Sequence, residues 1–417
     1  MMKVFKFGGA SIKNATAIRN MCEIIRDHQT EQLIVVVSAM GKSTNALEKI
    51  YHCVLDNKSY NQHIKEFILF HRDIATELFG ENKAVNQSIT KWSEILQKVA
   101  VSKFESNEQF YDAVVSIGEL LSSTIIGLHL NQSDVKTLWT DVRQLIITDS
   151  AHREAIVDWE VTGSNICDFI DKNNKGQIIL TQGFIASSDK GHTTTLGREG
   201  SDYTGAIFAS CLKSESFTVW KDVPGILNAD PKRINDAILF QELGYNEASE
   251  MTYYGAKVIH PKTIKPLANQ NIPLYVRCFD SPSTAGTKIH QSTTQHDTPI
   301  IIFKENQCLV SFKSKDLTFV NEEGISVIFK SLHELSIDMH IMQNSAVSFS
   351  ICIDYHEGKV EKLIKKLEDH FFILYNTGLE LTTIKTYTEE AINKYRPSVE
   401  ILLEQKSRNN YRVLMGK

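Results

Sequence analysis

The 417-residue chain predicts an α/β protein: a layered α/β/α domain with a helical insertion, followed by a smaller ferredoxin-like region. Three observations lead there. Strand and helix signals alternate near the N-terminus and again from about residue 135 to 280, as in a sheet covered by helices. Between those stretches, residues 43–131 carry apolar side chains at helical spacing throughout. Past residue 300 the order becomes β-α-β-β-α-β, which is ferredoxin-like. A chain of this length exceeds one ordinary core, so two or three domains are expected. The boundaries read as 1–295 and 300–417, the second region ending in a short or incomplete module. Between them lies SPSTAGTKIHQSTTQHDTP, 281–299, rich in Ser, Thr, Pro and Gly.

Taken in order, KVFKFGGAS reads as a strand and glycine turn, TAIRNMCEIIRDH as a helix, and QLIVVVSAM as a buried parallel strand. ALEKIYHCVLD, HIKEFILFHRDIATELF, SITKWSEILQKVAVSKF and FYDAVVSIGELLSSTIIGLHL form the helical insertion. Alternation resumes with VKTLWTD, QIILTQGFIAS, YTGAIFASCL, SFTVWKDVPGI, and AKVIHPKTIKPLANQ followed by PLYVRCF. The ferredoxin-like order is carried by IIFKENQCLVSFKS, GISVIFKSLHELS, DMHIMQNSAVSFSICID, GKVEKLIKKLED and FFILYNTGLELTTIKTY. The last thirty or so residues add one short helix, TEEAINKY, and one strand, VEILLEQK, too little for a second complete module alone.

Composition sets limits on function. With 42% hydrophobic and 23% charged residues the chain resembles soluble globular proteins. A net charge of -5 argues against a nucleic-acid binder with a basic surface, while leaving room for a local cationic cleft. The seven cysteines are scattered without a CxxC pair, so neither a zinc ribbon nor a disulfide framework is indicated. A strand signal begins directly after MMK, so no signal peptide is expected, and no apolar run approaches the ~20 residues that span a bilayer. The expectation is a cytoplasmic protein without membrane or nucleic-acid partners.

Several motifs carry chemistry. TTTLGREGSDYTG, 193–205, follows a strand-like run and leads into an apolar helix. Its turn holds Gly197, Arg198, Glu199, Gly200, Ser201 and Asp202. Glycines admit backbone close to a ligand, Ser and Asp suit a helix cap, and free N–H groups point at an anion. Arg198 adds a planar fork for carboxylate or phosphate, and Asp202 an opposing charge. In KFGGAS, Lys6 ends a strand and Gly8 and Gly9 form the turn after it. That arrangement suits phosphate, the lysine neutralising the β and γ groups, although many α/β folds use such a turn without this ligand.

MGKST, 40–44, imitates the end of a P-loop, but its leading glycine would fall at Val36, so that reading is rejected. Ser38 and Thr44 remain polar candidates beyond a strand end. Glu119 interrupts the apolar VVSIGELLSST; it reads as a solvated helix position or, given its neighbours and Gly118, as an acid buried in a cleft. WKDVPGILNADPK, 220–232, is either an ordinary Pro-Gly turn or a ligand loop beyond a strand's carboxyl end. GAKVIHPKTI places Lys257 and His260 at a helix terminus, where His260 reads as a structural hydrogen-bonder.

KFGGAS, SIGELLSS, TTTLGREGSDYTGA, WKDVPGILNADP and EASEMTYYGAKVIHPKTI together, in this order and spacing, resemble aspartokinase over nearly all of residues 1–290. The resemblance implies the amino-acid kinase fold followed by ferredoxin-like regulatory ACT modules. It implies transfer of the ATP γ-phosphoryl group to the side-chain carboxylate of L-aspartate, the first step toward lysine, threonine and methionine. A carboxylate with a pKa near ~3.9 is already a nucleophile, so no general base is required and catalysis reduces to alignment and charge neutralisation. It further implies that Lys6 and the Gly8-Gly9 turn meet the phosphates. Arg198 grips the substrate α-carboxylate, Glu119 its ammonium, and Ser38, Thr44 and Ser201 complete the pocket. Asp202 orients Lys6 and nearby polar groups. Lys221, Asp222, Lys232 and Lys257 hold the nucleotide, and Mg2+ arrives with ATP.

The chain departs from the family's pattern at Ala10 and Lys221, where threonine is commoner, at Leu227 for tyrosine, and at Lys232 for arginine. Glu199 adds an acid beside Arg198 and is expected to tune substrate affinity. LTFVNEEGISV replaces the usual serine-arginine-glycine-phenylalanine stretch of the effector site, while Asp338 and MQNSAVS keep a likeness to the effector-binding strand. Lysine or threonine is the expected effector and a homodimer the expected assembly. No GxGxxG occurs and no dehydrogenase half follows, so a monofunctional enzyme is expected. A kinase for glutamate or another carboxylate or carbamate remains the same-fold alternative. A silent amino-acid sensor is the other; retention of Lys6, Arg198 and Asp202 argues against it.

Overall fold

The apolar runs VFKF, LIVVV and FTVW become neighbouring parallel strands at the centre of one sheet, because strands covered on both faces must be apolar throughout. The structure, a computed structural model, describes residues 2–173, 176–256, 259–292, 296–315, 319–396 and 399–416. It divides into two units, residues 1–226, 239–249 and 258–294 in the first, and 227–238, 250–257 and 295–417 in the second. The single cut near residue 295 expected from sequence thus becomes a division in which two earlier segments join the C-terminal unit.

The first stretch runs β1 (Met2–Phe7), a 3-10 turn (Gly9–Ile12), α1 (Ala15–Arg26), β2 (Gln32–Val37), then the helical insertion α2 (Ser43–Leu55), α3 (Asn61–Phe79), α4 (Lys83–Val101) and α5 (Asn107–Gln132). It continues with β3 (Thr137–Trp139), β4 (Ile147–Thr148), α6 (Trp159–Asn173), β5 (Ile178–Gln182), β6 (Ile185–Ser188) and β7 (Thr193–Thr195). Then come α7 (Gly200–Cys211), β8 (Ser216–Lys221), β9 (Glu242–Gly244), α8 (Tyr245–Tyr253), α9 (Pro261–Asn269), β10 (Leu274–Cys278) and β11 (Thr287–His290). The main sheet has the order β3-β5-β2-β1-β8-β10-β11-β9. It is parallel from β3 to β10, and β11 pairs antiparallel with β10. A small sheet, β4-β6-β7, lies beside it.

Helix ends follow their sequence signals. Asn14 caps α1 by accepting from the Ala17 N–H at 2.9 Å, and Ser106 caps α5 through the Gln109 N–H at 3.1 Å. α5 corrects one expectation: it is long and apolar enough, by length and composition alone, to cross a membrane. Yet 83% of that stretch is buried inside the protein, where a core helix meets the same criteria.

The second unit contains β12 (Ile300–Ser314), α10 (Glu322–Glu334), β13 (Met339–Asn344), β14 (Ser348–Asp354), α11 (Glu357–Leu367), β15 (Phe371–Lys385), α12 (Glu389–Tyr395), β16 (Ile401–Lys406) and β17 (Asn410–Met415), its sheet ordered β13-β14-β12-β15-β17-β16. β12 and β15 are long enough to serve two cores. Phe312, Ile328, Ile351, Leu363 and Phe371 form one; Ile301, Ile384, Ile392, Tyr411 and Val413 form the other. β17 had no counterpart in the sequence reading, and with it the C-terminal half acquires strands on both sides of a shared pair. Residues 227–238 belong here for a physical reason. Ala229 and Ile234 sit in the second core, and Arg233 forks onto Glu380 at 2.7 and 2.9 Å with its guanidinium 3.7 Å from the Phe303 ring centre.

In the first unit α7 lies against β8 at Gly205, where a Cβ would overlap the Phe217 ring. Gly205→Val is therefore expected to destabilise the fold by about 1–3 kcal/mol, read as a lower melting temperature by circular dichroism. An unchanged transition would disprove close packing of α7 on the sheet.

Candidate active site

Four strand ends, those of β1, β2, β5 and β8, and the start of α7 build the site. The turn after β1 is bonded to those after its neighbours: Ser38 N–H donates to Phe7 O at 3.2 Å, Gly41 N–H to Gly9 O at 3.1 Å, and Ser11 Oγ to Trp220 O at 3.2 Å. Gly9 permits this closeness, since a Cβ there would stand 2.9 Å from the Ala39 and Gly41 carbonyl oxygens. A Cβ at Gly8 would come within 3.3 Å of Lys6 Nζ. After β5, Gly183 lets the first turn of α7 approach, as a Cβ would meet Ser201 within 3 Å. Thr204 Oγ1 then receives the Phe184 N–H at 3.0 Å.

These contacts enclose a cavity of about 820 Å³ lined by Lys6, Gly9, Ser38, Thr44, Glu119, Arg198, Ser201, Asp202 and Lys221 among others. Of the sequence candidates, these nine are brought together. Asp222 is exposed in the turn after β8 and does not line the cavity. Lys232 belongs to the second unit, exposed, its N–H donating to Asp230 Oδ1 at 2.9 Å. Lys257 lies outside the described residues.

Two carboxyl groups in this cavity exist in opposite states. Burial alone would raise the Asp202 carboxyl, but the Lys6 and Lys221 ammonium groups overcome it and hold Asp202 below the usual carboxylate range. Lys6 Nζ stands 2.5 Å from its Oδ1. Glu119, 3% exposed, has only weak help from the Ala39 N–H at 3.4 Å, and burial pushes it up to about 8. Its Oε2 is buried without a hydrogen-bond partner. The alternative of a solvated helix position is thereby settled in favour of the cleft. Arg198 is exposed at the rim and forms no hydrogen bond or ion pair with described residues.

One local expectation is corrected. Ser201 and Asp202 do not cap α7; its N-cap is Glu199, in the left-handed region at φ 53 and without a side-chain cap. Glu199 lines the cavity beside Arg198, and its Oε2 accepts the His260 N–H at 2.9 Å. His260 is structural, as read: it caps α9 by accepting from the Lys262 N–H at 3.2 Å.

The sequence reading missed one wall. Asp112, fully buried two helical turns before Glu119 on α5, accepts from His152 Nδ1 at 2.9 Å, the Arg153 N–H at 3.0 Å, and the N–H and Oγ1 of Thr195 at 3.2 and 2.7 Å. It pins the segment carrying His152, Arg153 and Glu154 to the cavity, where the Arg153 guanidinium lies 4.0 Å from the Tyr111 ring centre. The seven-residue spacing of two acids on an apolar helix was the available signal.

Comparisons with known proteins establish the family. The profile of the amino acid kinase family matches residues 1–278. Lysine-sensitive aspartokinase 3 of Escherichia coli is 30% identical over 374 residues, covering 84% of this chain and 78% of that protein. The chloroplastic bifunctional aspartokinase/homoserine dehydrogenase of Daucus carota is 28% identical over 387 residues, 89% of this chain but 42% of the relative, so the chain spans about two-fifths of its length. Among solved structures, E. coli aspartokinase III in complex with aspartate and ADP (R-state) matches 100% of this chain and 96% of its own with a TM-score of 0.86 at 25% identity. The chain belongs to the amino acid kinase family and, within it, to the aspartokinases.

Glu119 makes stability depend on pH in a defined direction. Unfolded, its carboxyl ionises near ~4.3; folded, it keeps its proton to about 8. Between those values the folded state binds the extra proton, so its contribution is largest below the unfolded pKa and is lost as pH rises toward 8. Glu119→Gln should abolish this loss, standing on the order of a few kcal/mol more stable than the wild type at pH 8 and gaining little at pH 4. Melting temperatures of both proteins across pH 4–8 check it; parallel curves would exclude a protonated Glu119.

Proposed function

We propose that the chain is an aspartate kinase, transferring the γ-phosphoryl group of ATP to the side-chain carboxylate of L-aspartate to give 4-phospho-L-aspartate and ADP. The observation that carries this reading is the division of one cavity into two chemistries. At its floor the Lys6–Asp202 pair sits beside the glycine turn after β1, and at its wall an unpaired acid, Glu119, shares the cavity with a guanidinium, Arg198, that has no other partner among the described residues. An α-amino acid offers the matching groups, an ammonium for Glu119 and a carboxylate for Arg198. The bound ligands of the E. coli neighbour, aspartate and ADP, supply the same pair of substrate classes.

In this reading a carboxylate oxygen of aspartate attacks the γ-phosphorus, the bond from that phosphorus to the bridging oxygen breaks, and ADP leaves with the electron pair. No proton is moved, because the nucleophile is already ionised. Lys6 neutralises charge on the phosphoryl oxygens, Asp202 fixes its ammonium, and Ser38, Thr44 and Ser201 bound the acceptor. Magnesium enters as part of the nucleotide substrate. Among the described residues no three His, Cys, Asp or Glu side chains gather as ligands for a metal ion.

The C-terminal unit is read as an ACT-type regulatory region. Lysine is the first effector to try, given the lysine sensitivity named for the E. coli relative, with threonine beside it. Phe372 and Leu374 stand on one face of β15 at 60% and 57% exposure, which supports pairing with a second copy. Seven free cysteines fit a reducing, cytoplasmic setting.

Incubation with ATP, magnesium and hydroxylamine should yield hydroxamate from aspartate; product from glutamate alone would transfer the reading to that substrate, and none from either would end it. Lys6→Ala should lower turnover at least about a hundredfold when assayed at a temperature where circular dichroism shows the variant folded, since it removes the charge facing the phosphoryl group. Turnover at the wild-type level would refute that role.

Aspartate binding should also release close to one proton at pH 7, because the ammonium draws the Glu119 proton off its raised carboxyl. Calorimetry in buffers of differing ionisation enthalpy measures it, and buffer-independent heats would contradict the assigned contact.

A further inference from the structure

Arg153 stands where the backbone favours a glycine. Its φ is 70°, in the left-handed region that an arginine enters only against the bulk of its own Cβ. Such a conformation persists where surrounding bonds determine it, and here they do. The Arg153 N–H donates to the buried Asp112 carboxylate at 3.0 Å, and His152 Nδ1 to the same group at 2.9 Å. The Ala155 N–H donates to Thr195 O at 3.0 Å. These bonds lay residues 153–155 along 195–197: Glu154 bridges Leu196 antiparallel, and a Cβ on Gly197 would stand 3.3 Å from Arg153 O. Arg198 follows Gly197, so the paired segments carry both arginines to one part of the cavity wall, and both line it.

A glycine at 153 would make every one of these backbone bonds without strain. They account for the turn and not for the arginine; what the strain delivers is the side chain. Its guanidinium lies over the Tyr111 ring, 4.0 Å from the centre, and interacts with the Tyr111 hydroxyl, which donates to Glu48 Oε1 at 2.7 Å. A guanidinium anchored on an aromatic ring keeps N–H groups at its edge for a planar acceptor. Among the described residues no carboxylate forms an ion pair with it. Its surroundings belong to the acceptor end of the cavity. Tyr111 and Asp112 stand on α5, the helix that presents Glu119, and Gly197 leads into Arg198. In the kinase reading Glu119 and Arg198 meet the acceptor's ammonium and α-carboxylate, so the anion that comes within this wall is the α-carboxylate.

We infer that Arg153 is a substrate-binding residue, a second guanidinium that takes the α-carboxylate of the acceptor together with Arg198. The inference rests on the kinase reading above and adds to it the residue by which an acceptor with a free α-carboxylate is preferred over one whose α-carboxyl is blocked. A carboxylate has lone pairs enough for two forks, and each charge-assisted pair strengthens the hold. The side-chain carboxylate stays free for phosphorus. Binding gained away from the reacting atoms acts on KM more than on kcat.

The test compares L-aspartate with its α-amide, which keeps the ammonium and the side-chain carboxylate but loses the α charge. Arg153→Gly removes the side chain, relieves the backbone and leaves the Asp112 bonds in place; circular dichroism checks the fold. We expect it to raise the KM for aspartate about tenfold with kcat held within about threefold, while the KM for the α-amide changes less than about twofold. Arg153→Lys, which keeps the charge without the fork, should stand between the two. An equal rise for both acceptors, as a merely structural arginine would give, or an unchanged KM for aspartate would overturn the inference. Aspartate bound but never phosphorylated by the wild type would end the transfer reading alone. Calorimetric affinities of the two acceptors for wild type and Arg153→Gly, which need no turnover, then decide the role of Arg153 by the same comparison.

Discussion

The buried ion pair between Lys6 and Asp202 is the constraint to which the rest of the catalytic unit answers. Removing two charges from water costs several kcal/mol for each ion, and their attraction repays it only when the geometry is held closely. Lys6 comes from the central strand of the sheet and Asp202 from the first turn of a helix that must lie directly on it. Every local device near the pair serves that approach. Gly183 removes a side chain where Ser201 arrives, Thr204 ties α7 to the Phe184 backbone, and Gly205 brings the helix down to Phe217.

The same environment sets two acids in opposite states. Asp202 stays ionised because cations face it, while Glu119, equally buried, pairs with no cation among the described residues and burial raises its carboxyl. Backbone supports this arrangement on each side, from the turns of β1, β2 and β8 to the Asp112 anchor of the Arg153 segment.

Much of this was legible in the sequence, for identifiable reasons. Central strands are apolar runs ended by glycines, and the insertion helices have clear periodicity, so both declare themselves. Lys6, Arg198 and Asp202 sit next to those punctuation marks. Glu119 stood out as an acid among apolar neighbours, although only burial decides between its two readings. What stayed hidden depends on contacts distant in sequence. Asp112 looks like any helix acid until Thr195 and Arg153 are seen to bond it. Glu199 reads only as an acid beside Arg198 until the His260 N–H, at the N-cap of α9, is seen to donate to it. The strand β17 is short, and its place is set by pairing between β15 and the edge strand β16 rather than by its own pattern.

The path of the chain between the units carries a consequence of its own. It passes from one to the other after residues 226, 238, 249, 257 and 294, and residues 227–238 are locked into the second unit by Arg233, Ala229 and Ile234. The two parts are therefore interlaced rather than strung in series. No single proteolytic cut or gene boundary separates them cleanly: a fragment ending near residue 294 would keep Ile234 and Arg233 while losing the core and the carboxylate that receive them. Neither half can now be exchanged between relatives without carrying the other's threads along.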